Sequence, residues 1–202
     1  MRFILASASP ARLTTLRAAG LHPEVIVSNV DETRFSAPTP AELAPVLAEQ
    51  KAEAVFASLG EPRDCIILGC DSILDFEGKP VGKPGTREAA VRLLQRTRGR
   101  SGVLVTGHHV IVSRDTVQRV TRVGTTIVHV ADLTDGEIEA YVATGEPEHV
   151  AGGFTIDGYG GAFISGVEGD PHNVIGVSLP LVRLMLADCA VDWTSLWGPI
   201  QS

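Results

Sequence analysis

The amino-acid sequence predicts an α/β fold built as one domain, and three observations point to it. Apolar runs of strand length, Arg2 to Ala6 and Ile66 to Cys70, are separated by segments with helical apolar spacing. The candidate helices open on a serine or threonine cap, and two of them stop at glycine, Gly20 and Gly145. A β-branched stretch from Val103 to Val130, broken at Ser113 to Thr116, reads as an antiparallel hairpin.

The first strand, Arg2 to Ala6, leads into Ser7-Ala-Ser9-Pro10, where Ser9 caps a helix and proline takes its first position. That helix buries Leu13 and Leu16 and ends at Gly20. Its free N–H groups, two hydroxyls and Arg12 suit an anion, although taken alone this stretch is better read as plain capping with Arg12 in solvent. A second strand spans Glu24 to Val30 and ends at Asp31-Glu32. Thr39 and Pro40 then open a helix carrying Leu43, Val46, Leu47 and Val55, and Lys51 on it reads as a solvated face residue.

The central stretch is Ile66-Ile-Leu-Gly-Cys-Asp71, followed by Gly78, Gly82 and the pairs Lys79-Pro80 and Lys83-Pro84. It reads as a buried strand that stops at a carboxylate and is followed by a turn and a lysine. Such an arrangement suits a metal and a phosphate, because ligands of α/β proteins bind beyond strand ends. Asp71 as a turn cap with Lys83 in solvent is the simpler alternative. Thr86 caps the next helix, to about Arg96. His108 and His109, adjacent on a strand, face opposite sides and cannot share a metal. Thr134 and Glu137 form a capping box for a helix to about Thr144. Between Gly152 and Gly169 seven glycines alternate with Phe154, Ile156, Tyr159, Phe163 and Ile164, around Asp157. Backbone so rich in glycine can approach a ligand closely, and the aromatic side chains could pack a base. Ser178-Leu-Pro opens a last helix to about Leu186.

Bulk properties exclude several classes. A formal charge of -7 argues against a nucleic-acid polymer as partner, so a phosphorylated ligand needs a local basic cluster. The opening apolar run is too short for a secretory signal, and no stretch approaches membrane-span length, so a cytoplasmic protein with no membrane partner is expected. Three cysteines without zinc spacing read as reduced core thiols. P-loop, dinucleotide-binding and G-x-S-x-G motifs are all missing.

Six short motifs then fall in one order: Leu5-Ala-Ser-Ala-Ser-Pro-Ala-Arg12, Val30-Asp-Glu32, Lys51-Ala52, Gly69-Cys-Asp71 with Gly82-Lys83-Pro84, Ala151-Gly-Gly153, and Gly169 leading into Asn173-Val-Ile-Gly176. Together they resemble the Maf family of nucleoside triphosphate pyrophosphatases, over Phe3 to Leu186. The resemblance implies a long curved mixed β-sheet flanked by helices, with two lobes around a central cleft, similar to inosine triphosphate pyrophosphatase. It bounds the domain at residues 1–188, with a tail over 189–202. The implied reaction is hydrolysis of a nucleoside triphosphate to monophosphate and pyrophosphate with Mg²⁺ or Mn²⁺. By position, Asp71 would be the general base or the carboxylate that orients the water and, with Glu32, a metal ligand. Lys51, Lys83 and Arg12 would bind the triphosphate, with Ser7 and Ser9 at the helix end. A homodimer is compatible with the family.

Three positions depart from the family's usual residues: Ala11 in place of arginine, Ser72 in place of threonine, and Asp157 in place of glutamine. They look like positions tied to base choice. A carboxylate only accepts hydrogen bonds, so Asp157 is expected to favour a base with adjacent N–H donors, such as guanine. The rival from another class is a non-catalytic nucleotide-binding regulator of cell division, which has no need of a base beside a metal.

Overall fold

A computed structural model describes residues 1–198 of the chain. The strands are β1 (Arg2–Leu5), β2 (Glu24–Val25), β3 (Cys65–Phe76), β4 (Lys79–Val81), β5 (Ser101–Ser113), β6 (Val117–Val130) and β7 (Ile164–Glu168). The helices are α1 (Pro10–Ala18), α2 (Pro40–Ser58), α3 (Arg87–Thr97), α4 (Asp135–Val142), α5 (Pro171–Ile175) and α6 (Leu179–Asp188). The strands form one seven-stranded sheet in the order β2-β1-β3-β5-β6-β7, with β4 also on β3. β1 runs parallel to β2 and β3 and the other pairs are antiparallel, so the sheet is mixed and the α/β class holds. Among the described residues no helix is long and apolar enough to cross a membrane.

The caps act as the sequence predicts. Ser9, Thr39, Thr86 and Ser178 each accept the N–H three residues on. Thr134 and Glu137 bond reciprocally, the Thr134 N–H donating to Glu137 Oε2 at 2.7 Å and the Glu137 N–H to Thr134 Oγ1 at 3.2 Å.

Two elements differ from expectation. The second strand stops at Val25, not Val30, because its partner β1 ends at Leu5 and nothing remains to pair with. Asn29, at φ 52°, then turns the chain. β3 does not stop at Asp71 but runs on to Phe76, and all of Cys65 to Asp75 pairs with β5. Ile164–Glu168, inside the glycine-rich segment, adds the edge strand β7.

Strand alternation sends neighbouring β3 residues to different packed regions. Ile66, Leu68 and Cys70 join a core with Leu5, Leu16, Val182 and Met185, while Ile67 packs with Ala52, Val55 and Phe56 of α2 on the opposite face. Further along, Leu74 and Phe76 pack with Leu104, Val128 and Phe154. A separate cluster under α3 and α4 contains Leu94, Ile138 and Tyr141. Asp71 lies between these regions. Cys189 and Val191 are buried in the first core, with Trp193 and Leu196 packed against it, while residues 199–202 of the expected tail lie outside the described residues. All three cysteines are buried and free, and burial pushes the Cys70 thiol up to about 11.

Candidate active site

The site is set by a break in one edge of β3. Along that edge β1 pairs with Cys65 to Leu68, and β4 pairs with Leu74 to Phe76. Between them, Gly69 to Ile73 has no strand partner on that edge among the described residues. Leu5 faces Leu68 in a parallel pair, so Ser7, two residues on, comes level with Cys70. Val81 faces Leu74 in an antiparallel pair, so the chain beyond it, through Gly82 and Lys83, heads back toward Ser72. The topology thus delivers the N-terminus of α1 and the Gly82-Lys83-Pro84 turn to opposite ends of one gap, with Asp71 at its middle.

On one face α2 lies directly against the sheet. Gly69 and Gly107 make this contact close, since a Cβ on either would overlap backbone of α2 at Ala48 or Ala44. Gly107 is the β5 partner of Asp71. Lys51 of α2 therefore reaches Asp71, with Nζ donating to Oδ1 at 2.5 Å, and also pairs with Glu32 Oε1 at 2.8 Å. The Lys51 and Asp71 side chains are each 11% exposed, whereas Glu32 is 52% exposed. A buried ammonium and carboxylate survive only when paired, so this triad is mutually dependent. Lys51 is thus no solvated face residue. Glu32 comes from the 3-10 turn Glu32–Arg34, which Asp31 caps by accepting from the Thr33 N–H at 3.2 Å.

On the other face Arg12 is buried beside Ser72. Its Nε donates to Gly176 O at 2.7 Å, Nη1 to Ser7 Oγ at 3.0 Å and Nη2 to Ser72 Oγ at 3.1 Å. Ser72 Oγ also meets Thr106 Oγ1 at 2.9 Å, and Thr106 donates to Asn173 O at 3.0 Å. Gly176, at φ 113°, sits so close that a Cβ would press on the guanidinium. The turn after α5 is itself tied to the sheet, because the Ser178 N–H donates to His108 Nε2 at 2.9 Å. Burial, with Arg12 nearby, lowers His108 to about 4, so it stays neutral and keeps its acceptor.

The structure brings Glu32, Lys51 and Asp71 into one cluster, and Ser7, Arg12 and Ser72 into another across the strand. Ser9 spends its hydroxyl on the Arg12 N–H at 3.4 Å as the helix cap. Ala11 is half-buried at the start of α1. Lys83 and Asp157 are exposed and make no side-chain hydrogen bond or ion pair among the described residues. Sequence reasoning missed Thr106, which no local pattern distinguishes from other strand threonines, and the anchoring carboxylate Glu146. Concavity alone would mislead here: a hollow of about 730 Å³ bordered by Arg2, His22, Glu24 and Arg114 contains none of these residues.

The fold and this arrangement define a mixed α/β protein that gathers carboxylates and cations at one broken sheet edge. The chain belongs to the Maf family: the family model described as "Maf-like protein" matches residues 2–189. A protein of Saccharopolyspora erythraea is 52% identical over 207 residues, covering 98% of both chains. One of Streptomyces coelicolor is 52% identical, covering 99% of this chain and 96% of its own, and one of Cutibacterium acnes is 51% identical, covering 98% and 95%. Each is named nucleoside triphosphate pyrophosphatase. A solved structure titled the Staphylococcus aureus Ham1 protein is 17% identical with a TM-score of 0.49, covering 93% of this chain and 99% of that one.

Proposed function

We propose that the chain hydrolyses nucleoside triphosphates to the monophosphate and pyrophosphate, acting on non-standard or modified nucleotides in the cytoplasm. The observation that carries this is Lys51 held between Asp71 and Glu32 at the break in β3, in a chain about half identical to full-length relatives named for that activity.

The chemistry follows from what the gap contains. Water attacks the α-phosphorus and the α–β anhydride bond breaks, releasing pyrophosphate. Charge builds on phosphoryl oxygens, so cations fixed in advance lower the barrier. Arg12, tied by three hydrogen bonds, is pre-set for an anion, and Lys51 and Lys83 supply further charge. Asp71, little exposed and central, accepts the proton of the attacking water.

Two carboxylates that already converge on one ammonium can converge on a hard cation, and Mg²⁺ or Mn²⁺ suits oxygen donors. Among the described residues no group of three or more His, Cys, Asp or Glu is placed to hold a metal, so water and phosphate oxygens would complete the shell. When bound, the ion would neutralise charge on the attacked phosphoryl group. Asp157 reads the base, and as an acceptor it favours one with adjacent N–H donors.

The test is release of pyrophosphate and monophosphate from a panel of ordinary and modified nucleoside triphosphates with Mg²⁺ or Mn²⁺, with and without chelator. Equimolar products that chelator abolishes support the reading. Tight binding without turnover would instead support the regulator. Asp157→Gln should shift the ranking toward pyrimidines, and an unchanged ranking refutes the role of Asp157.

A further inference from the structure

Thr155 to Gly161 contains Gly158, Gly160 and Gly161, so side-chain packing can hold little of it in place. One carboxylate does so instead. Glu146, in the 3-10 turn after α4, accepts four hydrogen bonds. Its Oε1 receives Tyr141 Oη at 2.8 Å, Thr155 Oγ1 at 2.7 Å and the Gly160 N–H at 2.9 Å. Its Oε2 receives the Tyr159 N–H at 3.0 Å. A Cβ on Gly158 would overlap this carboxylate, and one on Gly160 would overlap the Tyr141 hydroxyl. The glycines therefore form a cradle shaped to the anion.

Burial opposes ionisation of Glu146, but the hydrogen bonds from Thr155, Gly160, Tyr141 and Tyr159 outweigh it and hold its pKa below the usual carboxylate value. A charged acceptor of this kind is worth more than a neutral one. The bonds fall on residues 155, 159 and 160, either side of Asp157. Asp157 is exposed and has no hydrogen-bond or ion-pair partner of its own among the described residues, and Tyr159 is 70% exposed. Both side chains are thus presented by backbone that Glu146 fixes.

We propose that Glu146 is a positioning residue for base selection: it fixes the backbone that carries Asp157 and Tyr159, and so sets which nucleobase the protein accepts without touching the substrate. The inference rests on the pyrophosphatase reading above. A residue acting this way changes discrimination between bases, whereas one that merely supports the fold changes all substrates alike.

The experiment measures kcat and KM for purine and pyrimidine triphosphates with wild type, Glu146→Gln, Thr155→Val and Thr155→Ser. The amide of Glu146→Gln keeps the shape but presents N–H to a group that donates. The kcat/KM ratio between the best and worst base should fall about tenfold in Glu146→Gln, through KM, since small misplacements of binding groups cost this much or more. Thr155→Val should show a smaller fall, and Thr155→Ser, which keeps the donor, should restore the wild-type ratio. An unchanged ratio in a folded Glu146→Gln, or an equal loss of kcat for every base, overturns the proposal. If Glu146→Gln does not fold, identical ratios in Thr155→Val and Thr155→Ser overturn it. A wild type that hydrolyses every base alike also overturns it while leaving the pyrophosphatase reading intact. A wild type that releases no pyrophosphate overturns both.

Discussion

Asp71→Asn separates the structural from the chemical role of the acid at the break in β3. The substitution keeps the shape of the side chain and one acceptor oxygen, but removes the charge that Lys51 meets at 2.5 Å. Removing one partner of a fully buried pair costs about 3–5 kcal/mol. Here Lys51 keeps Glu32 at 2.8 Å, and Glu32 is half-exposed, so part of the compensation survives. A loss of about 1–2 kcal/mol is expected, which lowers Tm by about 2–8 °C in a chain of this size. The protein remains folded at room temperature. The chemical loss is on another scale, because removing a positioned base costs about 10²–10⁴-fold in kcat, or about 2.7–5.4 kcal/mol of barrier. Initial rates of pyrophosphate release at saturating metal, set beside thermal melts of the same samples, distinguish the two. If kcat stays within about threefold of wild type while Tm falls, Asp71 is only a structural partner of Lys51 and the proposed mechanism is wrong.

Three further outcomes are expected. Arg12→Lys removes a planar fork that serves Gly176 O, Ser7 and Ser72 together; a lysine cannot span all three, so KM for triphosphate should rise about tenfold or more, and an unchanged KM would mean that Arg12 does not face substrate. Gly107→Ala places a methyl group against the backbone of α2 at Ala44, so α2 must lift and Lys51 must leave Asp71; stability should fall by about 3 kcal/mol or more in urea unfolding, with activity lost in step. His108, beside Arg12 and Asp170, titrates near 4 in the folded chain against an ordinary 6.5, so unfolding takes up a proton between these values. The stability tied to neutral His108 is present above pH 6.5 and lost as pH falls toward 4. Between pH 7 and pH 5 this amounts to about 2 kcal/mol, and His108→Gln should remove that part of the acid sensitivity in paired urea melts.

Much of the fold could be read locally because caps are local. Ser9-Pro10, Thr39-Pro40 and the Thr134–Glu137 box mark helix starts through bonds that span three residues. Asp71 misled because an acid in mid-strand looks like a strand end; its neutralising partner Lys51 lies twenty residues away on another element. Lys51 misled for the reciprocal reason, since the face of α2 that meets the sheet is decided by Gly69 and Gly107, which carry no polar signal. β2 was overestimated because the length of its partner β1, not its own composition, limits it. Glu146 gave no local sign, as its donors lie five to fourteen residues away. The motif order that resembles the family singles out Glu32, Asp71, Lys51, Arg12 and Ser7, but their division between two faces of β3 follows from strand alternation and helix packing that no motif carries.

That division explains why motifs so far apart in sequence meet. A sheet edge paired along its whole length would present no opening at Asp71, and a strand that ended there would expose the acid to water and leave Lys51 unpaired. Stopping β1 at Leu5 and ending β4 at Val81, opposite Leu74, leaves five residues, Gly69 to Ile73, supported from behind by β5 but open in front. Alternation then points Asp71 toward α2 and Ser72 toward α1, so one short stretch of strand orients a lysine from one side and an arginine from the other. Burial keeps both cations from wandering, and in the proposed mechanism the missing strand partner is where a ligand reaches them. A rigid sheet with a gap of this length holds charges firmly, which is what the proposed electrostatic catalysis of phosphoryl transfer demands.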